Sequence, residues 1–164
     1  MNVPISWQQL ELENVTSLQQ LASAGIKILA GFIVPDNLSP VIFYDYGRIS
    51  DEFMELYDKH LSTMAKIDRF VDGDPDSFDY EDTSIDKPIF YNYFKNDLGC
   101  FYVAVIKHFL KEDLNTYTIQ AFINKDNRLF MGQTTITNFS EQDPIKTLES
   151  DEIFNNILTC LADL

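Results

Sequence analysis

The sequence predicts an α+β fold: a single domain, residues 1–164, in which an antiparallel β-meander packs with N-terminal, central and C-terminal helices. Three observations predict it. Residues 50–71 repeat apolar side chains at three- and four-residue steps, from residue 88 the apolar period shortens to two, and the C-terminal stretch returns to helical spacing. With 45% hydrophobic residues in a chain of 164, there is apolar surface enough for one core, and no repeat or linker divides it.

Ser6 and Gln9 stand as a capping box, so a short helix is expected to begin there. A second is expected over residues 16–24, with Leu18, Leu21 and Ala22 on one face and Gly25 as its stop. Residues 26–34 are rich in branched side chains and end at Pro35, which favours a buried strand, and residues 41–45 return as another. The central helix is the clearest element. Ser50 caps it, Asp51 and Glu52 suit the positive end of its dipole, and Ile49, Phe53, Leu56, Tyr57, His60, Leu61, Met64, Ile67 and Val71 form its stripe, with Gly73 and Pro75 as the stop.

Residues 88–94, 100–110, 116–124 and 129–138 read as successive strands joined by short turn-like segments, which is the pattern of a meander. The run 100–106 is apolar on both faces, so this strand is expected inside the sheet with both sides covered. Asp143 before Pro144 caps a final helix with Ile153, Phe154, Ile157, Leu158 and Leu161 as its apolar stripe.

The most distinctive surface is an acidic loop at about residues 72–86. It gathers Asp72, Asp74, Asp76, Asp79, Glu81, Asp82 and Asp86 around Phe78 and Tyr80, without a Lys or Arg. Residues 51–86 carry 12 of the 26 acidic groups against 3 of the 12 basic ones, so most of the net charge of −14 sits in one short part of the chain. Such a field repels nucleic acid and anionic lipid and attracts basic proteins. The aromatic pair supplies apolar contact that charge alone lacks, so these nine residues are the candidate partner-binding site, the alternative being a solvated loop that binds nothing.

Other chemistry finds little support. Asp72, Asp74 and Asp76 match positions 1, 3 and 5 of an EF-hand loop, but Ser77 replaces the turn glycine and Thr83 the bidentate glutamate. No metal site or cofactor is therefore expected. His60 on the helix stripe and His108 on a strand read as structural, no nucleophile or phosphate motif occurs, and the chain is expected not to be an enzyme. Cys100 and Cys160 fit no metal or redox spacing and are expected to be buried, reduced thiols. Without a basic, apolar leader in the opening residues or an apolar run long enough for a bilayer, a cytoplasmic protein is expected.

A small acidic domain with the loop Asp72–Asp86 and no catalytic motif resembles the bacterial immunity proteins of contact-dependent inhibition and type VI systems. That resemblance implies a stoichiometric inhibitor of a basic toxin, often a nuclease. The alternative is a small acidic adaptor, phage- or secretion-associated, whose contact surface is apolar.

Overall fold

A computed structural model describes residues 1–12, 24–48, 52–66, 86–109 and 115–164. Among the described residues seven antiparallel strands form one sheet: β1 Gln8–Gln9, β2 Lys27–Ile33, β3 Val41–Asp45, β4 Asp86–Asn96, β5 Gly99–Phe109, β6 Asn115–Lys125 and β7 Arg128–Ile136. Helix α1, Glu52–Lys66, covers one face, and α2, Pro144–Ser150, with α3, Glu152–Ala162, belongs to the other. The α+β class holds.

The simple meander needs correction. Strand order is β1-β2-β3-β7-β6-β5-β4, so β4 to β7 do run as a meander, but β7 ends beside β3. The cause is α1. It starts where Phe53 meets Tyr46, just past β3, and packs against β4, so the chain crosses the sheet face and re-enters at the far edge.

The tight turns follow from their residues. Lys125 pairs with Arg128 around Asp126 and Asn127, both at positive φ (53° and 60°), the primed hairpin turn that Asp and Asn tolerate best. Asn96 pairs with Gly99 around a second two-residue loop, where the Asn96 side chain accepts the Leu98 amide at 2.9 Å.

Alternation then divides the core. Phe101, Val103 and Val105 of β5 join Phe43, Ile119, Phe154, Ile157 and Leu158 in the larger cluster beneath α3. Tyr102 and Ala104 point the other way, to Leu61, Phe122 and Met131 beneath α1. Both faces of β5 are therefore covered, as its unbroken apolar run requires. On the α3 side Gly132 pairs with Ala121 and Phe43, and an added Cβ there would lie 2.6 Å from Ile157 Cγ2. The missing side chain lets α3 close onto the sheet.

Three helix expectations change. Residues 8 and 9 form a strand rather than a capped helix, because Trp7 is buried against Phe32 (ring centroids 6.1 Å) and its neighbours pair with β2. The stripe of α1 buries Leu61 and half-buries Phe53, Met54 and Tyr57, whereas Leu56 (63% exposed) and His60 face outward. The final helix is two: Asp151 leaves helical geometry (ψ 116°) and caps α3 by accepting the Phe154 amide at 2.7 Å. Asp143 caps α2 as expected, with Pro144 behind it. The expected helix over residues 16–24 lies, but for Ala24, outside the described residues, as do Ile49, Ser50, Asp51, Ile67, Val71, Gly73 and Pro75.

The cysteines differ from each other. Cys160 is fully buried, with Sγ 3.3 Å from the Asn2 carbonyl, and burial pushes its thiol up to about 11. Cys100 is exposed, because it lies near the hairpin end of β5 opposite Lys95, so the expectation that both are buried fails for it. An alkylating reagent at roughly pH 8 should label Cys100 in the folded protein and Cys160 only after unfolding. Equal labelling rates by mass spectrometry would contradict this.

Asp45, 7% exposed, is a buried charge at the end of β3. Burial by itself pushes its carboxyl up, but the Arg128 guanidinium and the Gly47 amide (2.7 Å) outweigh that and hold it below its ordinary value. The stabilisation from a depressed carboxyl is complete above its unfolded value, about 3.9, and is lost as pH falls through the folded one. Asp45→Asn should cost about 2 kcal/mol at neutral pH, tempered by the partly exposed arginine. The deficit should shrink in urea titrations near roughly pH 3, and a pH-independent deficit would argue against this assignment.

Candidate interaction surface

Of the nine candidate residues the structure places one. Asp72, Asp74, Asp76, Phe78, Asp79, Tyr80, Glu81 and Asp82 lie outside the described residues. Asp86 opens β4 directly opposite His108. Its carboxylate meets His108 Nδ1 at 2.5 Å, His108 Nε2 meets the Thr118 hydroxyl at 2.6 Å, and Thr118 meets Thr135 at 3.1 Å. Nδ1 faces the Asp86 carboxylate and donates to it, Nε2 faces the Thr118 hydroxyl, and that hydroxyl shares a hydrogen bond with Thr135. One row of polar side chains thus crosses β4 to β7 and fixes the residue at which the acidic run enters the sheet.

Carboxylate, imidazole and hydroxyl in that order also occur in nucleophilic hydrolases. Here Thr118 sits within β6, paired to Ile106 on one side and Thr135 on the other, so the surrounding amides serve the sheet rather than an oxyanion. The arrangement positions Asp86. It ties His108 to β4 and β6 through both ring nitrogens, whereas His60 is exposed on α1 and belongs to no buried stripe.

A second polar set ties α1 to the same sheet face. Tyr57 donates to Gln120, whose amide donates to Gln133 at 3.1 Å. Tyr102 donates to Asp58 at 2.6 Å, and the Tyr93 ring meets Tyr102 edge-on, with centroids 5.3 Å apart and planes at 84°. Burial first, and then the Asp58 bond, drives the Tyr102 phenol far above its ordinary value, while burial pushes Tyr57 up to about 12. Both phenols therefore stay protonated and act as donors.

No protein-family model matches this chain, and no curated protein matches it. Its function must be read from its own surface. Among the described residues no group of three His, Cys, Asp or Glu side chains is placed to hold a metal ion. None of the described helices is long and apolar enough to cross a membrane.

What the structure adds is the neighbourhood of β4. Asp58 is exposed beside Tyr102, and Tyr93 is 63% exposed on the edge strand next to it. Sequence reasoning missed this pairing of carboxylate and aromatic. The available signal was Asp58, one step from the half-buried Tyr57 on α1, together with the alternation that puts Tyr91 and Tyr93 on the same face as Tyr102.

Proposed function

We propose that this chain is a non-enzymatic, cytoplasmic binding protein that neutralises a basic toxin domain by stoichiometric contact, in the manner of bacterial immunity proteins. The observation that carries the reading is the concentration of 12 acidic against 3 basic groups in residues 51–86. The described parts on either side of its densest stretch support it. Helix α1 is packed on the sheet through Phe53, Tyr57 and Leu61, and Asp86 is held by His108, so the charge is presented from a fixed base. A basic groove evolved to hold phosphate is the electrostatic complement of such a surface, and nucleic acid is not.

The second reading, an acidic adaptor with an apolar contact, draws on Leu56, which is 63% exposed on α1. Salt separates the two. Affinity purification of the tagged protein from its source, followed by mass spectrometry, should recover a basic protein bound one to one, with affinity falling steeply as ionic strength rises. A partner whose affinity is unchanged by salt but collapses with Leu56→Asp would instead establish the adaptor.

A further inference from the structure

We infer that the outer edge of β4 is where the basic partner adds a strand of its own, an extended segment carrying Lys or Arg opposite Tyr93. This rests on the basic partner proposed above and deepens it.

The sheet has two edges of unequal character. β1 closes one with two residues, whereas β4 ends the other with eleven, and among the described residues none pairs with its outer side. A long edge strand exposes a row of backbone donors and acceptors, and proteins blunt such edges with prolines and bulges. The first part of β4 has both, at Pro88 and in the register shift between Pro88 and Phe90. From Tyr91 to Asn96 it has neither.

The direction of the free groups follows from the hairpin. Asn96 and Gly99 close a two-residue loop and form a hydrogen-bonded pair, so Phe94 and Asn92 also bond inward, to Phe101 and Val103. Tyr91, Tyr93 and Lys95 therefore aim their N–H and C=O groups outward, and the Tyr93 amide donates meanwhile to the exposed Asn92 side chain at 2.8 Å, a contact that a partner strand would displace. Such alternate outward groups are what an added strand bonds to.

Side chains specify the partner. A residue set opposite Tyr93 would project on the α1 face, beside the exposed Tyr93 ring and toward the exposed Asp58. A guanidinium or ammonium fits both, by charge to Asp58 and by cation–π contact with the ring. Opposite Lys95 a cation is disfavoured, so the matching strand is basic at one end and neutral or acidic at the other.

Amide hydrogen exchange read by NMR tests this, with a short synthetic valine-rich peptide as the probe, carrying one lysine and, two residues from it, one glutamate. In the free protein the amides of Tyr91 and Lys95 should exchange fast while those of Asn92 and Phe94 are protected. Bound peptide should slow the outward set about tenfold or more, and a peptide N-methylated on alternate amides should not. Lys95→Pro removes one outward N–H without touching the ladder to β5 or the Tyr93 ring, and should abolish peptide protection while far-UV and thermal signatures of the fold persist. Outward amides already protected in the free protein would overturn the inference, because the chain itself would occupy the edge. Peptide-induced changes confined to residues 72–82 would overturn it while leaving the acidic-site reading intact, and no change anywhere would end both.

Discussion

Replacing Gly132 with alanine should lower the stability of the fold by about 2 kcal/mol, and with valine by more, because the new Cβ overpacks the contact between β7 and α3. For a chain of this size that is a fall of roughly 6 °C in the melting temperature. The Cβ would stand 2.6 Å from Ile157 Cγ2 and 3.0 Å from Phe43 Cε1. Neither neighbour yields easily. Ile157 is β-branched on a helix, which leaves it one strongly preferred χ1, and the Phe43 ring is fully buried beside Phe32. Relief must come from moving α3 outward, which loosens Phe154 and Leu158 as well. The interaction is testable as a cycle. Ile157→Ala alone should cost about 3 kcal/mol as a cavity, and the double variant should be less damaging than the sum by about 1 kcal/mol. Strict additivity would mean that the crowding lies elsewhere.

That contact also shows what the sequence could and could not announce. Seven apolar residues from Cys100 to Ile106 leave no solvent face, so a covered strand was legible without any partner being known. Asp126-Asn127 between apolar runs was legible as a turn because both residues tolerate positive φ. The pairing of β3 with β7 was not, since it depends on where α1 delivers the chain rather than on any residue within either strand. A two-residue strand such as β1 has no period to detect, and the cap signal at Ser6 lost to the burial of Trp7. Within α1, Leu56 and His60 fit the helical spacing but fall on its outer side, because the buried stripe is narrower than the apolar pattern. For the candidate site, position in the chain gave the charge and Asp86 but not its neighbours. His108 and Asp58 act through hydrogen bonds that span 22 and 44 positions, which no local pattern encodes.

Charge and aromatics in the acidic stretch should separate in the kinetics of partner binding. Neutralising Asp74, Asp76, Asp79 and Glu81 to Asn or Gln should slow association about tenfold or more at low salt, since long-range attraction acts before contact. Raising ionic strength from about 0.05 to 0.5 M shortens the screening length to a few ångströms, so the original and neutralised proteins should converge there. Phe78→Ala and Tyr80→Ala act after contact. Each should leave the association rate nearly unchanged and hasten dissociation, at a cost of about 2 kcal/mol if the ring fills a pocket on the partner. Melting temperature is the control: it should barely move, or rise slightly as repulsion between seven carboxylates is relieved. A metal site would show itself in a separate measurement. Were calcium the true ligand, it would raise the melting temperature, and Asp72→Asn or Asp76→Asn would erase that rise. Partner binding that ignores all six substitutions at every salt concentration would remove residues 72–86 as the contact. It would leave the Asp58–Tyr93 edge of β4 to account for recognition alone.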